Sequence, residues 1–174
     1  RRTLSIIVCS DSALCTRHTT RHMTQKQTLS TRSLSHDAPG ARGDARDARM
    51  VAARLDVPFQ AMDLKEEFGE VIDYFVSEYG RGRTPNPCAV CNRDLKMGKL
   101  MDFADELGCA GVATGHYARV SVEDGRVRLR RGVDRAKDQS YQLFPVAEAN
   151  LMRTATPLGD LEKPEVRELA RSAG

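Results

Sequence analysis

The residues best suited to chemistry are the two cysteines of Thr84-Pro85-Asn86-Pro87-Cys88-Ala89-Val90-Cys91-Asn92. They stand at i and i+3, where a loop stiffened by two prolines meets an expected helix start. Unpaired backbone N–H groups and the helix dipole favour a thiolate there, so the spacing predicts a lowered pKa and readiness to attack or to bind metal. Arg83 and Arg93 add positive potential. A lone C-x-x-C leaves three other readings open: half of a structural zinc site, a redox pair, or two inert thiols. Zinc would want two further ligands, and no second C-x-x-C or histidine pair follows.

Two more clusters could act with them. Ala113-Thr114-Gly115-His116-Tyr117-Ala118 ends an apolar stretch, Cys109–Thr114, of the kind buried in a parallel sheet. The C-terminal end of such a strand is where doubly wound folds bind ligands. Gly115 lets a ligand approach the backbone and His116 can donate to an RNA or nucleotide oxygen; the plainer reading is a histidine capping a turn. Lys137-Asp138-Gln139-Ser140-Tyr141 follows a basic stretch holding Arg126, Arg128, Arg130 and Arg131. Lysine and arginine there suit phosphates and Gln139 suits a base edge, against the plainer reading of a solvated face. Cys109, opening a buried strand, reads as a small core residue.

The elements that must hold these residues become regular from Asp44. Asp44–Leu55 carries Ala48, Val51, Ala52 and Leu55 on one helical face. A short strand is expected over Val57–Leu64, then a helix over Glu66–Tyr79 with Phe68, Val71, Ile72, Phe75 and Val76 at helical spacing. Residues 80–88, with two glycines and two prolines, read as a loop. Asn92 is expected to cap a helix to Leu107, burying Leu95, Leu100, Phe103, Ala104 and Leu107 and stopped by Gly108. Ala118–Val122 and Arg126–Arg130 alternate around Asp124-Gly125, a hairpin signal. Lys163–Ala173 is a helix with Pro164 in its first turn. This order points to α/β with a mostly parallel sheet.

Ahead of Asp44 only Leu4–Cys9, with Ile6-Ile7-Val8, reads as a strand. Residues 10–43 are rich in Ser, Thr, Arg and His without sustained period, so irregular structure or disorder is expected. Residues 1–43 hold seven bases and two acids, and the rest 20 bases and 22 acids, giving +5 and −2. The basic excess therefore does not mark the regular part as nucleic-acid binding. With 174 residues, 40% hydrophobic and 29% charged, the composition is that of an ordinary globular domain. Five cysteines, an odd number, with no export signal argue against a disulfide framework. No apolar run approaches bilayer length, so no membrane partner is expected and the reading is cytoplasmic.

In order and content these motifs resemble the tRNA-specific 2-thiouridylase family (MnmA/TrmU) across residues 44–174. The resemblance rests on Asp47-Ala48-Arg49 with Val51-Ala52, and on Gly82-Arg83-Thr84-Pro85-Asn86-Pro87-Cys88 through Cys91-Asn92. It continues through residues 113–118, Arg131-Gly132-Val133-Asp134, residues 137–141, Pro157-Leu158-Gly159-Asp160-Leu161 and Lys163-Pro164-Glu165-Val166-Arg167. It implies an α/β, Rossmann-like parallel sheet of the adenine nucleotide alpha-hydrolase (PP-loop ATPase) type, incomplete, with a β-hairpin. It also implies three parts: an atypical, misread or disordered 1–43, a partial nucleotide-binding domain 44–117, and a hairpin and helical tRNA-binding region 118–174.

The implied activity is sulfur transfer: ATP and magnesium adenylate the 2-oxygen of the wobble uridine, and persulfide sulfur replaces it. Cys91 matches the catalytic nucleophile, Gly115 an ATP contact, and Asn86, Pro87 and Cys88 the segment facing the target base. His116, Lys137, Asp138 and Gln139 match tRNA contacts. The implied partners are tRNA and an upstream sulfur donor, a cysteine desulfurase or relay protein. Members with cysteine at the Cys88 position are associated with an iron–sulfur cluster, so Cys88 and Cys91 are also candidate metal ligands. The alternatives are an iron–sulfur-dependent thiolase acting on another base, and a non-catalytic RNA- or zinc-binding fragment. Two departures stand out. The family's glycine-rich pyrophosphate loop is replaced by Cys9-Ser10-Asp11-Ser12, and the second catalytic cysteine is expected beyond Gly174, so this chain is expected to be truncated and incapable of turnover.

Overall fold

The computed structural model describes the backbone of residues 5–8, 28–34 and 41–173, and side chains from 46 to 173. Strands β1 (Ser5–Val8) and β2 (Thr28–Leu34) precede helix α1 (Ala41–Arg54). Strand β3 (Phe59–Asp63) and helix α2 (Lys65–Gly80) follow. Next comes a helix in three parts: α3 (Pro87–Cys91), a π-wound stretch (Asn92–Lys99) and α4 (Leu100–Glu106). Strand β4 (Gly111–Thr114), the hairpin β5 (Ala118–Glu123) and β6 (Arg126–Arg131), α5 (Glu148–Met152), β7 (Thr154–Ala155) and α6 (Lys163–Ser172) complete the order.

The five-stranded sheet runs β3-β2-β1-β4-β7. Its flanks, β2 with β3 and β4 with β7, are parallel as expected, whereas β1 runs antiparallel to both neighbours. The sheet is therefore mixed within an α/β fold. Most of the stretch expected to be irregular lies outside the described residues, but Thr28–Leu34 forms a strand, bonded to β1 on one side and β3 on the other. The hairpin forms where expected: Asp124 and Gly125 both take positive φ (51° and 73°), as a two-residue primed turn requires.

Two expectations about the central helix are corrected. Asn92 does not cap it. Asn86 does, its side-chain oxygen accepting from the Ala89 N–H at 3.1 Å with Pro87 in the first turn. The helix thus starts a turn and a half early, and Asn92 lies inside it, buried, donating to the Gln142 carbonyl at 3.2 Å. The buried face also moves. Leu95, Leu100 and Ala104 are buried and Phe103 partly so, but Leu107 is 41% exposed while Met97 and Met101 face inward. The wider π winding over 92–99 shifts every later side chain around the axis. Asn150 helps hold that winding by donating to the Met97 carbonyl.

This helix is the spine of the molecule. Leu95 packs with Leu64 and Val71, Met97 with Ala118, Leu143, Val146 and Leu151, and Leu100, Met101 and Ala104 with Cys109 and Val112. Cys109 is buried as expected, but it is disulfide-bonded, so a fully reduced set of thiols is not what the structure shows. No helix among the described residues is long and apolar enough to cross a membrane.

Candidate functional site

Cys88 lies exposed in the first turn of α3, and Cys91, half-buried at its end, packs against the cluster of Leu64, Val71 and Leu95. That packing overturns the electrostatic expectation. Burial pushes the Cys91 thiol above its ordinary value, Lys96 pulls it back down, and Cys88 and Asp94 raise it further. α3 is only five residues long and continues directly into the π-wound stretch, so Cys91 stands at the end of that first segment instead of at a helix mouth. Arg93, expected to assist, is paired with Asp94 at 2.6 Å, and Arg83 with Glu78 at 2.5 Å.

Sequence reasoning missed Lys96. Its side chain is half-buried between the fully buried neighbours Leu95 and Met97, and burial lowers its pKa while Cys91 and Cys88 raise it. The legible signal was a lone lysine flanked by core residues five positions after Cys91. Lys96 also acts on His116, which links the cysteine helix to the turn after β4.

His116 is entirely buried, at 0% exposure, so in the described chain its ring does not meet solvent. Its Nδ1 pairs with the Thr114 hydroxyl at 2.8 Å, its Nε2 has no hydrogen-bond partner, and burial, then Lys96, depress its pKa to about 3. The ring is therefore neutral at ordinary pH. Gly115 sits half-buried between Thr114 and His116 at the end of β4.

The third cluster is mostly committed inward. The Gln139 side-chain oxygen accepts from the Tyr117 N–H at 3.1 Å, and the Gln139 N–H donates to the Tyr117 carbonyl at 2.8 Å. Asp138 accepts from the Gly132 N–H, from the Ser140 N–H and hydroxyl, and from Arg131. Despite burial that opposes it, those donors hold the Asp138 carboxyl below the usual range. Lys137 is half-buried, while Tyr141 and Phe144 are exposed. Of the hairpin arginines, Arg130 and Arg128 face Glu123 and Arg131 faces Asp138. Much of the basic stretch expected to grip phosphates is already neutralised.

Among the described residues the donor set for a metal is incomplete. No group of three His, Cys, Asp or Glu side chains able to hold an ion occurs among the described residues, so Cys88 and Cys91 alone fit neither zinc nor a cluster. The position of a pyrophosphate loop after β1 lies outside the described residues.

Residues 10–174 match the family described as tRNA methyl transferase HUP domain. A protein of Rhodopirellula baltica named tRNA-specific 2-thiouridylase MnmA is 51% identical over 131 residues, 75% of this chain and 33% of that protein. Proteins of the same name from Leptospira biflexa and Salinibacter ruber are 48% and 50% identical, covering 75% and 74% of this chain and 35% and 34% of their own. The chain spans about a third of the length of the curated relatives it matches. The chain belongs to the tRNA methyl transferase HUP domain family.

Proposed function

We propose that this chain is the first-cysteine portion of a tRNA 2-thiouridylase, a sulfurtransferase acting on the wobble uridine. The observation that carries the reading is that one helix bears Cys88, Cys91 and Lys96, with Lys96 within electrostatic reach of the Gly115-His116 strand end. Nucleophile and ligand-binding turn thus share one neighbourhood. The family's description names methyl transfer and the relatives' name thiolation; a paired thiol favours sulfur chemistry.

In this reading Cys91 is the nucleophile, and Asn86, Pro87 and Cys88 face the target base. Lys137, with its exposed aromatic neighbours, is the outward part of the tRNA surface. Asp138 and Gln139 act by fixing the turn that presents it, and His116, paired with Thr114, by shaping the end of β4. ATP with magnesium supplies activation of the uridine oxygen, with Gly115 as a contact. Sulfur arrives from a desulfurase or relay protein, in the cytoplasm. A second reading is an iron–sulfur-dependent thiolase or a zinc-binding module, to which the described residues offer Cys88 and Cys91 as free thiols.

The test uses a strain lacking 2-thiouridine in its tRNA, complemented with the full-length gene. Nucleoside mass spectrometry is expected to show the thiolated base restored by the parent and absent with Cys91→Ser. Failure of the parent gene, or full restoration by the serine variant, rejects the proposal.

A further inference from the structure

Lys96 follows Cys91 by five residues. In an α-helix that separation turns two side chains about 140° apart. The intervening stretch is π-wound, and its i→i+5 repeat returns Lys96 toward the face that carries Cys91. Gly98 records the same winding: a Cβ there would stand 3.1 Å from the Arg93 carbonyl oxygen, its own i−5 partner.

The ammonium so placed has no carboxylate partner among the described residues; the groups it acts on are the thiols of Cys91 and Cys88 and the ring of His116. Nearby lysines differ. Lys99 faces Glu67 at 4.0 Å, and Lys163 lies over the Tyr117 ring at 5.4 Å. A half-buried cation without counter-charge is unfavourable until an anion joins it. The site's own side chains do not supply one: His116 is neutral and its Nε2 is buried without a partner.

We propose that Lys96 is an anion-holding residue of the Cys91 site, taking a phosphate-class oxyanion carried by the molecule presented to that thiol. The inference deepens the sulfur-transfer reading and takes from it only that Cys91 meets the substrate. Its test needs no turnover, so its failure and the failure of thiolation are separate results.

The full-length protein is alkylated at mildly alkaline pH with iodoacetate, which is anionic, and with iodoacetamide, which is neutral. Fragmentation mass spectrometry reads Cys91 apart from Cys88. The ratio of the two rates cancels changes in thiol exposure and ionisation and leaves the local charge. Lys96→Gln is expected to lower the iodoacetate-to-iodoacetamide ratio about fivefold, the factor of a charge pair in a wet site, and Lys96→Arg to restore it. Should the glutamine variant not fold, the parent protein still decides: inorganic phosphate is expected to slow iodoacetate more than iodoacetamide. AMP and a short oligouridylate, added separately, assign the phosphate to a nucleotide or to RNA, and protection by either supports the site. An unchanged ratio in a folded Lys96→Gln, or phosphate slowing both reagents equally, overturns it.

Discussion

At the scale of single residues, burial decides what His116 does. Its ring is packed away from water with only the Thr114 hydroxyl as partner, and its pKa falls from 6.5 to about 3. A neutral histidine in the fold takes up a proton on unfolding whenever the pH lies between those values. Its contribution is therefore intact above about pH 6.5 and is lost as pH falls toward 3, at about 1.4 kcal/mol per pH unit. Between about pH 7 and pH 5 the urea stability of the protein is expected to drop by about 2 kcal/mol from this group. In His116→Asn that slope should largely disappear; an equal slope in the variant would mean that other groups carry it. The same desolvation pushes the Cys91 thiol above its ordinary value, the opposite of the shift that a helix start would impose.

At the scale of elements, close backbone approach fixes the hairpin to the rest of the fold. A Cβ at Gly159 would stand 2.1 Å from the Ala118 carbonyl oxygen, so the turn before α6 presses directly on β5. The Val133 N–H donates to the Gly159 carbonyl, and Asp138 ties Gly132 and Ser140 from the other side. Gly159→Ala is expected to cost about 1–3 kcal/mol through overpacking, read as a fall in melting temperature of about 2–4 °C per kcal/mol. An unchanged melting temperature would show that the turn can lift away freely. Helix boundaries and the hairpin were legible because caps and turns are local: Asp124-Gly125 demands positive φ, and Gly108 at φ 68° ends the helix. The choice of Asn86 over Asn92 as cap was less legible, since both asparagines precede helix-forming residues and only Asn86 is followed by proline.

At the scale of the molecule, the three-part helix joins clusters that sequence presents as separate. Leu143, fully buried, packs with Met97 from the π-wound stretch, with Ala118 from β5, and with Val146 and Leu151. Leu143→Ala is expected to cost about 2–5 kcal/mol in denaturant unfolding. Amide exchange should quicken in the hairpin and in residues 92–99 together. A change confined to the hairpin would show that the two regions open independently.

The sequence by itself determined the local devices and the family: the turn-forming pairs, the cysteine spacing, the strand ending in Gly-His, and the α/β order. Each depends on neighbours within a few residues, where steric limits and backbone bonding act. Only the tertiary structure decided strand direction, the π winding that turns Lys96 toward Cys91, and the inward commitment of Asp138 and Gln139. These follow from burial and from partners distant in sequence, such as Asn150 on the Met97 carbonyl. Desolvation likewise exists only once the chain has packed, so the protonation of Cys91 and His116 could not be read from residue types alone.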